Sequence, residues 1–296
     1  ADLKAFDTDA LNSKDVGCNE IRYREVGEVG YLHFDFYNGA MSTAQCERLR
    51  RVLIRIKQRA VKIIVLMGGD EFWSNGVHLN NIEAAVAPAD ESWRNINAIN
   101  DVVREIITTD KQLTVAALRT NAGAGGAVMA AACDYVFVRS GVVLNVHYQT
   151  MGLHGSEYWT YLLPRRVGVA RARQLTEECL PILASEAQGM GFANHMLPES
   201  WAAYHFELEE LCQGLAARGQ WKQRIAIKFK ERGRDEAIRP LQAYRDEELR
   251  HMRATFFNPQ SEFHQARRDF VLKAAPDSTP LRIAPHRARA LRSSAA

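Results

Sequence analysis

Three stretches of this 296-residue chain combine residue types that can do chemistry. The first, Gly68-Gly69-Asp70-Glu71-Phe72-Trp73-Ser74-Asn75-Gly76-Val77-His78-Leu79, follows an apolar run at 62–67. The second, Thr120-Asn121-Ala122-Gly123-Ala124-Gly125-Gly126-Ala127, follows Leu113–Leu118. Both read as strand–glycine–helix junctions, where glycine lets the backbone turn tightly and bring its N–H groups against a ligand. Neither ends in Gly-Lys-Ser/Thr and neither is Gly-x-Gly-x-x-Gly, so phosphate loops of those two kinds are excluded. The third stretch, 145–159, gathers His147, Tyr148, His154 and Glu157. Tyr148 can donate a proton, and Glu157, at the expected start of a helix, can pair with it or act as a base. The bland alternatives are a satisfied core tyrosine and a helix-capping carboxylate. His147 and His154 are weaker candidates, and strand alternation turns His147 away from Tyr148.

No metal is expected. The five cysteines (Cys18, Cys46, Cys133, Cys179 and Cys212) are odd in number and form no Cys-x-x-Cys, and the nine histidines form no His-Glu-x-x-His. That cysteine usage favours a reducing cytoplasm over a disulfide framework. A hydrophobic fraction of 47% and a charged fraction of 25% exclude a collagenous, disordered or coiled-coil chain. No run reaches the ~18 apolar residues of a membrane span. The polar, acidic start (Ala1 to Asp7) is no signal peptide, and the absence of an initial Met suggests a piece of a longer chain. The net charge of +3 is uneven. Residues 1–200 hold 20 Lys and Arg against 23 Asp and Glu, whereas residues 201–296 hold 18 against 12, which marks a candidate boundary near 200.

The elements that must position these groups alternate. After a polar leader at 1–19, Ile21–Val26 and Val29–Phe34 read as a hairpin around Gly27-Glu28. Ser42 and Gln45 make a capping box, and Leu49, Val52, Leu53, Ile56 and Ala60 recur at helical spacing over 43–60. Strands are predicted at 62–67, 113–118, 135–138 and 142–146. Helices are predicted at 92–109, 121–133, 156–166, 169–178 and 184–190. Alternating strands and helices make a layered α/β protein. From 201 to 275 the pattern is helical only, and 276–296 reads as a disordered basic tail.

The paired loops resemble those of the crotonase (enoyl-CoA hydratase/isomerase) superfamily. Phe72 to Leu79 is similar to the family's Phe-Ser-x-Gly-x-Asp-Leu loop, and Gly123-Ala124-Gly125-Gly126 with Cys133-Asp134 to its Gly-Gly-Gly segment and the Cys-Asp beyond it. Gly168 and the stretch Glu186 to Pro198 extend the resemblance over about residues 20–200. It implies a spiral of ββα units with a C-terminal helical extension, and coenzyme A as the bound group. It also implies an oxyanion hole from the N–H groups of Val77 and Gly125, and CoA contacts at Asn38, Ala40, Ser74, Asn75, Gly76, His78 and Leu79. Arg48, Arg51, Arg55 and Arg59 share a helix face; they are either a solvated face or, through Arg51 and Arg55, a strip for the CoA diphosphate. No aromatic interleaving supports nucleic-acid binding there.

The chain departs from the hydratase pattern where it matters most. The two acid–base carboxylates of hydratases fall at Val128 and Tyr148, and the loop Asp is His78. Ordinary addition of water to a C=C bond is therefore not expected. Tyr148 to Gly168, with Phe256-Phe257-Asn258-Pro259 and Ala266-Arg267-Arg268, is similar to the crotonase-like half of a family of [NiFe]-hydrogenase maturation proteins. That resemblance implies release of CO from formyl-CoA. It also implies an N-terminal formyltransferase domain elsewhere in the full-length protein and the hydrogenase maturation machinery as a possible partner. The alternatives are a hydratase or isomerase of an unusual acyl-CoA, and a non-catalytic CoA-binding scaffold.

Overall fold

The computed structural model describes residues 20–274; the leader at 1–19 and the tail at 276–296 lie outside the described residues. Strands β1 (Ile21–Val26) and β2 (Val29–Phe34) form the anticipated antiparallel hairpin. Helix α1 (Thr43–Ile56) starts on the predicted capping box, with Gln45 N–H donating to Ser42 Oγ and Ser42 N–H to Gln45 Oε1. Three strand–strand–helix units follow. The first is β3 (Ile63–Leu66), β4 (Phe72–Ser74), α2 (Leu79–Ala84) and α3 (Pro88–Ile107). The second is β5 (Leu113–Leu118), β6 (Asn121–Gly123) and α4 (Ala124–Ala131). The third is β7 (Tyr135–Arg139), β8 (Val143–Asn145), a 3-10 turn (Tyr148–Met151) and α5 (Trp159–Val167). Next come α6 (Val169–Glu178), β9 (Ile182–Leu183), α7 (Ala184–Gly189) and β10 (His195–Leu197).

The first strand of each unit enters a six-stranded sheet, ordered β1-β2-β3-β5-β7-β10; the second enters a smaller sheet, β4-β6-β8-β9. Pairing from β2 through β10 in the large sheet is parallel. Parallel strands need cover on both faces, which explains why β3 and β5 are buried at every residue. One face packs on α1, α3, α4 and α5 through Leu53, Ile99, Val128 and Leu163. The other packs on α8 (Trp201–Ala216), whose Tyr204 hydroxyl donates to the Ala117 carbonyl.

Several boundaries differ from the sequence expectation. Residues 121–123 pair as a strand instead of opening the helix, because β4 and β8 offer ladder partners on both sides. The helix expected from 92 begins at Pro88, whose fixed φ suits the first helical turn. The helix expected from 156 begins only at Trp159, because Glu157 and Tyr158 are left-handed, at φ of 62° and 61°. The change of pattern near residue 200 is a change of element type, and the apolar core runs across it. After α9 (Arg218–Ile238), helices α10 (Leu241–Phe256) and α11 (Glu262–Val271) bury Leu249, Met252, Phe256 and Phe263 in the main core. None of the described helices is long and apolar enough to cross a membrane.

Phe263 is fully buried, with its ring 5.1 Å from that of Phe256, and its backbone packs against the Gly152 turn that follows Tyr148. Phe263→Ala is expected to cost about 3–5 kcal/mol in a urea unfolding series, in one transition with the rest of the protein. A separate early transition for the last helices would contradict a shared core.

Candidate active site

The parallel pairing of β4 with β6 (Phe72 opposite Asn121, Ser74 opposite Ala122) sets the two glycine junctions side by side. Gly76 has φ of 75°, and a Cβ there would come within 3.1 Å of Gly125 N. Met41 N–H donates to the Gly76 carbonyl in an isolated parallel bridge. Among the described residues, neither the Val77 nor the Gly125 N–H donates to a protein acceptor. Gly125 also sits in the first turn of α4, the positive end of its dipole. The loops therefore place two spare backbone donors together.

Behind them lies the pair that the third stretch supplied. Tyr148 Oη–H donates to Glu157 Oε2 at 2.7 Å, and the Ser156 N–H donates to the same oxygen at 3.1 Å. The Glu157 carboxylate rests against the Gly125 α-carbon so closely that any Cβ at position 125 would overlap it. Glu157 is 1% exposed, and burial pushes its carboxyl up to about 7 against the opposing pull of the Tyr148 and Ser156 hydrogen bonds. Burial, followed by the charge of Glu157, drives the Tyr148 phenol well above its ordinary range. At neutral pH the pair thus combines a phenol that keeps its proton with a carboxyl poised to gain or lose one.

Backbone strain concentrates here. The non-glycine residues at positive φ include Asn38, Ala124, Glu157, Tyr158 and Lys273, all at or beside this site. Each costs of order 1–2 kcal/mol and persists only where surrounding contacts fix it. For the Glu157 turn those contacts come from distant elements. Asn100 on α3 accepts the Glu157 N–H at 2.7 Å, and its amide donates to Ser156 Oγ at 2.8 Å. Glu248 on α10 accepts the Tyr158 N–H at 2.9 Å, and the Thr160 N–H at 2.9 Å and hydroxyl at 2.5 Å. The sequence reading missed both residues. Asn100 had no motif around it, and Glu248 sits in a charged helical stretch where burial cannot be read.

A cavity of about 570 Å³ opens beside the pair. Asn38, Ala40, Asn75, Val77, His78 and Leu79 line it, together with Ala124, His147 and Tyr148, whereas Gly76, expected among the contacts, does not. Gly125 and Glu157 are not among the lining residues; Gly125 directly follows the lining residue Ala124, and Glu157 bonds to the lining residue Tyr148. Three further expectations need correction. Ser74 is turned inward, its hydroxyl accepting the Gly76 N–H, so it braces the loop and is not part of the lining. Arg51 and Arg55 are also not among the lining residues, because α1 presents that face elsewhere; Arg51 borders a separate groove between α1 and α3. Arg48 on α1 is spent on Glu20, and Arg59 lies beyond the end of α1 at Ile56, so it does not share that helix face, and pairs with Glu25. His147 does face the cavity beside Tyr148, since β8 ends at Asn145 and strand alternation no longer applies. His154 instead stacks on His251 at 4.3 Å. Phe270 and Lys273, on and just beyond α11, complete the cavity rim.

His78 and His147 line the cavity in opposite tautomers. His78 Nδ1 accepts the Asn81 N–H, whereas His147 Nδ1–H donates to the Asn145 carbonyl. Burial lowers the pKa of both rings, favouring neutral imidazoles. Among the described residues, no three His, Cys, Asp or Glu side chains converge to hold a metal.

Repeated ββα units that feed two sheets and bring two donor loops together define a class, and comparison with known proteins agrees: the enoyl-CoA hydratase/isomerase family profile matches residues 32–278, and the chain belongs to that family. Crotonase-superfamily members bind CoA thioesters. More particularly, the chain is 46% identical over 276 residues to the hydrogenase maturation factor HoxX of Bradyrhizobium diazoefficiens, covering 92% of this chain and 49% of that protein. It superposes on HypX from Aquifex aeolicus in complex with tetrahydrofolic acid with a TM-score of 0.86 and 43% identity, covering 92% of this chain and 48% of that one. An enoyl-CoA hydratase from Bacillus halodurans shares the fold, with a TM-score of 0.75 at 18% identity over 84% of this chain and 99% of that one. The chain spans about half the length of the HoxX and HypX relatives.

Glu157 gives the site a pH signature in stability. Its folded pKa is raised, so below the ordinary carboxyl value of 4.5 it is protonated folded or unfolded and costs nothing. As pH rises through about 7 the buried group must ionise, and that stability is lost. Glu157→Gln is therefore expected to be more stable than the parent by roughly 2–3 kcal/mol at pH 8, the difference vanishing near pH 4. Chemical denaturation across that range checks it.

Proposed function

We propose that this chain releases CO from formyl-CoA, as the crotonase-like part of a hydrogenase maturation factor. The observation that carries the reading is the Tyr148–Glu157 hydrogen bond at the cavity wall, in a site without the hydratase carboxylates. Val128, at one hydratase carboxylate position, is fully buried in the core and is not a lining residue. Formyl-CoA has no α-carbon, so it needs no such carboxylates. What it needs is transfer of one proton from the formyl carbon to sulfur.

The reaction balances without a redox partner: the C–H and C–S bonds of the formyl thioester break, an S–H bond forms, and CO departs. The Val77 and Gly125 N–H groups hold and orient the formyl oxygen, a positioning service first and a polarising one second. Tyr148 is the group that meets the substrate. It takes the formyl proton as it passes its own to Glu157. It then protonates the departing sulfur while Glu157 returns the proton. A carboxyl with a pKa of about 7 suits both halves of that exchange.

CoA is substrate and product here, with its thioester end in the cavity, and Lys273, the one cation among the described lining residues, would face its phosphates. Residues 20–200 would form the CoA-binding core and 201–275 the helical cover. The HypX structure with tetrahydrofolic acid, about twice the length of this chain, supports a formyltransferase domain upstream that would load the formyl group. CO would then pass to the hydrogenase iron through the maturation machinery, in the cytoplasm. In a CO-trapping assay with formyl-CoA, Tyr148→Phe and Glu157→Gln are each expected to lower kcat by roughly 10²–10⁴-fold. CoA affinity is expected to stay within about threefold of the parent, less than the effect of one typical lost neutral hydrogen bond. Undiminished CO release by both, or turnover of an enoyl-CoA with none of formyl-CoA, would overturn the proposal.

A further inference from the structure

Glu248 stands in an unusual position for a carboxylate. It is 0% exposed, it forms no ion pair among the described residues, and it lies on α10, 91 positions beyond Glu157 in the chain. What it has are donors from one short segment. Oε2 accepts the Tyr158 N–H and, at 3.5 Å, the Ser156 hydroxyl, and Oε1 accepts the Thr160 N–H and hydroxyl. The two N–H groups are spare donors at the N-terminus of α5, whose own N-cap, Tyr158, provides no side-chain cap. The cap is thus supplied from outside the segment.

The residue capped this way adjoins Glu157. Glu157 and Tyr158 are consecutive left-handed residues, a conformation that non-glycine residues leave unless held. Asn100 holds the Glu157 N–H and Glu248 holds the Tyr158 N–H, so the two side chains grip successive peptides of one turn. The turn directs the Glu157 carboxylate onto Tyr148 Oη and against the Gly125 α-carbon. A carboxylate that shifts by an ångström leaves both.

We propose that Glu248 is a positioning residue for the Tyr148–Glu157 pair: by capping α5 from α10, it locks the left-handed Glu157 turn and makes the C-terminal helices part of the active site. The proposal rests on the decarbonylation reading for its kinetic consequence, though its geometric consequence is independent of that reading. Glutamine cannot substitute for this glutamate. Both carboxylate oxygens accept N–H groups, so one end of the amide must point its own N–H₂ at a backbone donor.

The test uses Glu248→Gln and Thr160→Val in the full chain, each assayed for CO release across formyl-CoA concentrations and crystallised. Glu248→Gln is expected to lower kcat about 10–100-fold with KM within about twofold, and to separate Tyr148 Oη from Glu157 Oε2 beyond hydrogen-bonding distance. Thr160→Val removes one of the four donors, and a few-fold loss of kcat at constant KM is expected. A folded Glu248→Gln protein with parental kcat and the 2.7 Å contact intact overturns the proposal, as does a rise in KM alone. Should Glu248→Gln not fold, Thr160→Val decides: unchanged kcat overturns the proposal, and the few-fold loss supports it. If the parent chain itself releases no CO, the decarbonylation reading fails. The Glu248→Gln crystal structure then decides the positioning claim, an intact contact overturning it and a broken one supporting it.

Discussion

A carboxylate buried to 1% exposure against a backbone α-carbon governs much of what surrounds it. Desolvation disfavours its charge, so Glu157 keeps its place only by accepting from Tyr148 and from the Ser156 N–H. Its approach to α4 leaves no room for a Cβ, which makes position 125 a glycine for reasons of space. Its approach also bends the chain into two left-handed residues, and that conformation requires Asn100 and Glu248 to hold the peptide groups. Each of these features would be unexplained by itself. Together they are the consequences of putting one acid there.

The fold makes that placement possible by a simple device. Each ββα unit gives one strand to the large sheet and one to the small sheet, so the loops after β4 and β6 emerge as neighbours. Their backbones nearly touch at Gly76 and Gly125 and leave two N–H groups without protein acceptors among the described residues. This donor pair comes from the first two units, and the third unit sets titratable groups beside it. These are a phenol hydrogen-bonded to a carboxyl, with neutral imidazoles at positions 78 and 147 on the same cavity.

The C-terminal helices are more than an appendage to that scaffold. Phe263 packs against the turn after Tyr148, Phe270 and Lys273 border the cavity, and Arg267 pairs with Glu83 on α2. The apolar side chains of α10 share one core with the sheet. A boundary drawn at residue 200 from charge and element pattern therefore describes composition, whereas the packing crosses it.

Much of this was legible in order along the chain. The capping box at Ser42, the β-branched runs of β3 and β5, the two glycine junctions and the pairing of Tyr148 with Glu157 all follow from local patterns of residue type. The resemblance to the crotonase superfamily put the hydratase carboxylate positions on Val128 and Tyr148, so ordinary hydration chemistry was not expected. What local pattern could not place depends on contacts between distant segments. The late start of α5 and the roles of Asn100 and Glu248 are set by partners 56 to 90 residues apart. A sequence names which side chains can donate, accept or ionise. Only the packed chain decides which of them lose water and meet, because burial and approach across that distance leave no local signature.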